Sequence, residues 1–279
     1  YFQDEKLREF VQLTLDKMAY GGIYDQIGGG FTRYSVDMIW KVPHFEKMLY
    51  DEALLARVYL HAWQLTGEPR FLQTLQETIE YVLRDLRHPL GGFFSAEDAD
   101  SEGVEGKFYV WSIDEIRAIC GDDAEAVIEW FGATDHGNWE HTNILERVVR
   151  GDLARPDAVE RGRVALLAER NKRIRPGLDD KVLTEWNALM LSTIAEAAAA
   201  TGSTEWLEAA VTNANFLCDN LRVNGRWMRS WQGEARVLAF SADYGALVDA
   251  FVRVHEATGD PRWLDEAAVT ADALIELFG

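Results

Sequence analysis

The chain has 279 residues, 48% of them apolar, and carries 28 basic against 47 acidic side chains for a net charge of −19. That is enough apolar material for a large core in one large or two smaller domains. The negative charge repels phosphate backbones and anionic lipid, which argues against nucleic-acid and membrane partners but leaves neutral sugars open.

Taken in chain order, Tyr1-Phe2-Gln3 reads as the remnant of a protease-cleavage tag, leaving residues 4–279 as a single domain that is a piece of something longer. No signal peptide or bilayer-length apolar run is visible, and Cys120 and Cys218 are distant and unclustered. A disulfide framework, a cysteine zinc site and a dithiol redox centre are therefore not expected, and a reducing cytoplasm fits. Periodicity predicts helices over 4–20, 45–66, 68–87, 112–120, 122–132, 158–173, 179–201, 203–222, 242–258 and 260–277.

Three stretches, 48–72, 183–207 and 240–264, align without gaps. Each is a long apolar helix that ends at a Thr-Gly pair and turns into a second helix, so a helical hairpin is used at least three times. Residues 53–63 and 188–200 are apolar nearly all round, as in helices buried on every side. Their partners are one-faced, with stripes of Trp206, Ala210, Ala214, Leu217 and Leu221, and of Trp263, Ala267, Ala271, Leu274 and Phe278. The expected architecture is all-α, an (α/α)6 toroid or barrel of helical hairpins. Ten helices are fewer than six pairs require, and a two-layer solenoid is the alternative. Segments 21–44 and 88–111 are long glycine- and aromatic-rich connections with room for short hairpins, for example from Gly106 to Trp111.

Those connections hold the chemistry. Gly28-Gly29-Gly30 lacks the lysine and hydroxyl of a phosphate loop, and Asp25, Arg33, Tyr34, Asp37 and Trp40 surround it. His44, Lys47, Met48 and Asp51 fall on one face of the predicted helix and can move protons, although a capped helix start with a solvated Glu46–Lys47 face explains the same residues. In the repeat alignment Asp51, Trp186 and Asp243 are equivalent, with Glu185, Asn187 and Tyr244 beside them. In a toroid such positions converge on one end of the cavity. The candidate catalytic residues are thus His44, Asp51, Glu185 and Asp243. The candidate substrate-binding residues are Asp25, Arg33, Tyr34, Trp40, Lys47, Glu97, Asp98, Trp111, Lys181, Trp186, Asn187 and Tyr244. Carboxylates, amides and flat rings suit a sugar, though each one singly also serves as a cap or core hydrogen-bonder.

Asp98, Asp100 and Glu102 imitate half of a calcium loop, but Tyr109 occupies the closing position. The segment reads either as an acidic rim with a general acid or as a solvated turn. His136 and His141 have no third ligand in step, and His61 and His255 sit within apolar helices. Neither metal nor cofactor is expected.

The stretches beginning at Gly21, Gly91 and Arg173 resemble the signature segments of the thioredoxin-domain-containing proteins related to the spermatogenesis-associated thioredoxin-like protein. The resemblance implies an (α/α)6 barrel similar to N-acylglucosamine 2-epimerases, cellobiose epimerases and six-hairpin glycosidases. It also implies a thioredoxin-like domain as partner in the full-length family, and a barrel whose first and last helices lie outside this chain. It points to a sugar-like small-molecule ligand, with epimerase or isomerase acid–base chemistry ahead of glycoside hydrolysis. Such epimerases usually use two histidines; here His44 stands alone, with a carboxylate such as Glu185 as the second group. A non-catalytic domain that docks ligand or protein is the other reading.

Overall fold

The structure is a computed structural model that describes residues 4–149 and 154–279, so Tyr1-Phe2-Gln3 lies outside it. The described residues form α1 (Glu5–Tyr20), α2 (Leu49–Thr66), α3 (Pro69–Tyr81), α4 (Ile113–Cys120), α5 (Ala124–Phe131), α6 (Asp157–Arg170), α7 (Thr184–Thr201), α8 (Thr204–Asn220), α9 (Ser241–Thr258) and α10 (Pro261–Phe278). Short strands fill the connections: β1 (Tyr34–Ser35), β2 (Pro43–His44), β3 (Lys47–Met48), β4 (Ala96–Glu97), β5 (Asp100–Ser101) and β6 (Val104–Glu105). They continue with β7 (Leu178–Asp179), β8 (Val182–Leu183), β9 (Arg222–Val223), β10 (Arg226–Trp231) and β11 (Ala235–Leu238). Among the described residues, no helix is long and apolar enough to cross a membrane.

The helical hairpins share one joint. Gly67, Gly202 and Gly259 are all left-handed, at φ 72°, 74° and 70°. Each donates its N–H to the carbonyl four residues back, at 2.7, 2.8 and 2.8 Å. The preceding threonine does two jobs. Thr66, Thr201 and Thr258 donate their hydroxyls to the carbonyls of Ala62, Ala197 and Val254 at 2.6, 2.7 and 2.7 Å. The same oxygens accept the N–H groups of Glu68, Ser203 and Asp260. The Thr-Gly pair thereby satisfies orphan groups on both sides of the turn.

Two helices start later than the periodicity predicts. Residues 45–48 and 179–183 are extended, because other segments take up their backbone groups. Arg33 N donates to Glu46 O at 2.8 Å, and Leu49 N to Ser95 O at 2.9 Å. Ser95 N donates to Asp179 O at 3.0 Å, and Val182 and Leu183 pair with Trp231 and Ser230. His44 and Lys47 therefore do not share a helical face with Asp51. The predicted helix 68–87 closes with a π-turn at Val82–Leu86. The hairpin in the second connection lies at Asp100–Glu105 and not from Gly106 to Trp111, since Glu102 and Gly103 both take the positive φ of a two-residue turn.

The chain divides into two compact units. The first contains the residues up to Lys47, His61–Tyr81 and Glu97–Gly177. Its main core gathers Ile27, Trp111, Ile116, Val127, Trp130, Phe131, Val159 and Leu166 around α4, α5 and α6. A smaller cluster of Phe45, Ala99, Val110 and Ile144 sits beneath the strands.

The second unit contains Met48–Leu60, Val82–Ala96 and Leu178–Gly279. Here α7 is buried along most of its length and packs against α8 and α9, while α10 packs against α9. The α8 stripe of Trp206, Ala210, Ala214, Leu217 and Leu221 is buried, as its spacing predicts. Along α10 only the start of the stripe is, since Phe278 remains 48% exposed. In α2 the apolar composition overstates burial: Ala53, Ala56, Tyr59 and Leu60 face inward, but Leu54 and Val58 are exposed. An all-apolar run carries no phase information, so composition alone does not choose the inner face.

Candidate functional site

In the first unit, residues 43–47 alternate as a strand does. Phe45 and Lys47 point into the core at 3% and 0% exposure, so His44 and Glu46 face the other way and are half-buried. β1 pairs with β2 and sets Tyr34 opposite His44, whose rings stack at 4.9 Å and 20°. The His44 Nδ1 lies 2.8 Å from Glu105 Oε1, and Nε2 lies 3.6 Å from Glu46 Oε2. Arg33 donates to that same Glu46 oxygen at 3.0 Å. An imidazole thus stands between two carboxylates, with a phenol on its face and a guanidinium one step away. The Glu105 carboxylate fixes the ring orientation and favours the Nδ1–H tautomer.

Beneath this edge lies a buried ionic frame. Lys47 Nζ donates to Asp25 Oδ2 at 2.9 Å and to Gly29 O at 2.8 Å, and sits 4.0 Å from the Tyr81 ring centroid. Arg170 donates to the other Asp25 oxygen at 2.8 Å. Burial alone would raise the Asp25 pKa, but the two cations outweigh it and hold the carboxyl far below its usual range. Glu97 is buried as well, accepting from Tyr81 Oη at 2.8 Å and from Arg175 at 2.7 and 3.1 Å. Burial, then the Glu97 charge, push the Tyr109 phenol well above its usual pKa. Trp111 is fully buried under the Arg173 guanidinium, 3.8 Å from its centroid. A cleft of about 320 Å³, within small-molecule size, is lined by Ser101, Lys107, Phe108, Val110, Glu115 and Arg173 among others.

The remaining first-unit candidates are peripheral. Trp40 is half-buried at φ 66°, and its carbonyl accepts from Ile23 N. Asp98 is exposed and accepts from Ala99 N at 2.6 Å. Of the calcium-like carboxylates, Glu102 is paired with Lys107, and Glu105 beyond them pairs with His44. Among the described residues no group of three or more His, Cys, Asp or Glu is arranged for a metal ion.

In the second unit Glu185 and Asp243 meet through Arg229, which donates to both at 2.8 Å. Asp243, the third residue of α9, also accepts from Phe240 N at 2.7 Å and Glu185 N at 3.0 Å. Its burial raises its pKa despite these bonds. Asn187 and Tyr244 reach no solvent. Asn187 exchanges hydrogen bonds with the Phe93 backbone, and the Tyr244 hydroxyl accepts from Trp227 N. Both hold the unit together behind its surface. Trp186 tilts against Tyr50 at 4.9 Å, Lys181 is exposed and paired with Asp179, and Asp51 is half-buried in the first turn of α2.

Sequence reasoning missed the arginines. Arg170, Arg173, Arg175 and Arg229 each bind a carboxylate or an aromatic ring at these sites. The first three were readable as a cationic run in an otherwise acidic chain. The two thiols are held protonated by burial, Cys218 up to about 12.

No protein-family model matches the chain. Spermatogenesis-associated protein 20 of Homo sapiens is 33% identical over 314 residues, an alignment that covers 95% of this chain and 40% of the human protein. The chain therefore spans about 40% of the length of the curated relatives it matches. Among solved structures, cellobiose 2-epimerase from Spirochaeta thermophila superposes with a TM-score of 0.57 at 14% identity, covering 95% of this chain and 52% of that one. Unsaturated glucuronyl hydrolase from Bacillus sp. GL1 superposes with a TM-score of 0.56 at 13% identity, covering 99% and 58%. At such identities the likeness is one of fold, and the chain has the helical-hairpin fold that these sugar enzymes share.

Proposed function

We propose, for this member of the spermatogenesis-associated protein 20 family, that the chain binds a sugar and moves a proton on it by general acid–base chemistry at His44. The observation that carries this is the His44 ring held between Glu105 and Glu46 on a solvent-reached edge. With Nδ1–H donated to Glu105, Nε2 is the basic nitrogen. It takes the proton from the carbon next to a sugar carbonyl; the C–H electron pair forms the C=C bond of an enolate, the C=O π pair moves to the oxygen, and Arg33 supplies positive charge to that oxyanion. The Nε2–H, exchanged with solvent, returns a proton to the same face, or solvent water delivers one to the opposite face. The two outcomes are exchange and epimerisation. Oxygen and nitrogen groups suffice, so neither metal nor cofactor enters the scheme. The fold shared with sugar enzymes supports the substrate class.

The test is proton exchange in D2O. A panel of reducing mono- and disaccharides is followed by NMR for loss of the C2 proton. Wild type is expected to exchange at least one sugar, and His44→Gln to slow that exchange by about 100-fold or more with an unchanged melting temperature. Exchange by His44→Gln at the wild-type rate would sink the assignment, as would a wild type that exchanges none of the panel.

One observation favours a docking role instead. Asp37 accepts from Ile39, Lys41 and Val42 N–H groups and so organises a loop that holds Val36, Met38 and Ile39 out at 61%, 98% and 69% exposure. Such a tip suits contact with the thioredoxin-like domain that the sequence resemblance implies. Co-purification of that domain, lost in Met38→Asp, would favour it.

A further inference from the structure

The second unit holds a group of side chains that the His44 chemistry does not use. Trp227 and Trp231 lie on the same face of β10, yet they differ. Trp227 is 2% exposed, with its indole N–H donated to Thr270 at 3.2 Å, as a core residue requires. Trp231 keeps part of its surface open. Its ring meets His88 at 5.1 Å and 81°, and Phe216 at 5.2 Å and 85°, contacts that fix the indole plane.

His88 borders that ring, and the charge of Asp180 acts on His88. His88 Nδ1 accepts Leu90 N–H at 3.0 Å, which puts the ring proton on Nε2 as a donor. Burial holds the His88 pKa below its ordinary value, so the ring is neutral near pH 7. Gln232, next to Trp231, donates to Asp180 Oδ1 at 2.5 Å, and both side chains are exposed. A partly exposed indole, a neutral N–H donor, a carboxylate and an amide together match the C–H face and the hydroxyls of a pyranose.

We propose that Trp231, His88, Asp180 and Gln232 form a saccharide-binding subsite for a neutral oligosaccharide. Neutral sugars are selected because the exposed Asp180 carboxylate would repel a uronic acid. The subsite rests on the reading of this chain as sugar-binding, but on residues separate from those that move the proton.

The experiment is binding, not turnover. Fluorescently labelled chain is applied to immobilised neutral glucans, mannans and xylans, with uronic-acid glycans beside them, and the best-retained oligosaccharide is titrated by calorimetry. A neutral oligosaccharide should be retained. Trp231→Ala should bind it at least tenfold more weakly, and Trp231→Phe, which keeps a flat ring, within about threefold of wild type. A melting temperature unchanged in both variants shows that they remain folded. Wild-type affinity in Trp231→Ala, retention of uronic-acid glycans alone, or retention of none would each overturn the subsite. Weakened binding in Trp231→Ala with no C2 exchange by wild type would keep the subsite and remove the reaction. Intact exchange with no Trp231 effect on binding would do the reverse.

Discussion

At the level of single residues, the first unit stakes most on Asp25. Its carboxylate is 6% exposed and faces two cations that are still more buried, Lys47 at 1% and Arg170 at 4%. Removing one member of such a set strands the others, a loss of about 3–5 kcal/mol. Asp25→Ala should show it in urea unfolding, and a loss below about 1 kcal/mol would mean that the cations find other partners. The folded pKa of Asp25 lies below its unfolded one. Its contribution is therefore complete above about pH 4 and drains away only as pH falls through the depressed folded value. Lys47 was legible as part of the candidate site, but its role as a buried support was not, because the residues that capture it, Asp25 and Tyr81, are 22 and 34 positions away in sequence.

For the elements, the contrast between two left-handed glycines separates backbone strain from packing. A Cβ at Gly202 meets nothing within 4 Å, so Gly202→Ala should cost only the left-handed penalty of about 1–2 kcal/mol. A Cβ at Gly106 would come within 2.5 Å of the Phe45 ring, which neighbours His44 on the strand. Gly106→Ala should cost more than Gly202→Ala in calorimetry and should also shift the His44 ring resonances. Equal losses would show that Phe45 yields freely. The Thr-Gly joints were readable because every bond they make spans four residues or fewer. The strands at 47–48 and 178–183 were not, since the segments that take up their backbone, at Ser95 and Trp231, lie tens of residues away, and the pairing of 43–44 with Tyr34–Ser35 leaves no mark on the apolar periodicity. For the same reason His44 was found as a candidate while its helical face was wrong.

Across the whole molecule, 19 excess negative charges repel one another. Raising salt from about 10 to 150 mM shortens the screening length from about 30 to 8 Å and should raise the melting temperature. A fall would show that the ion pairs at these sites outweigh the repulsion. The helical-hairpin class, the repeated joint and the acidic, sugar-tolerant character were determined by sequence alone, because periodicity, capping and net charge are local or additive properties. Only the tertiary structure decided which carboxylates act together. It gave Glu105 to His44, joined Glu185 to Asp243 through Arg229, and put Asn187 and Tyr244 behind the surface. A carboxylate has no periodicity of its own; its partner is whichever cation or amide the packed backbone brings within about 3 Å, and that distance exists only once the chain has folded.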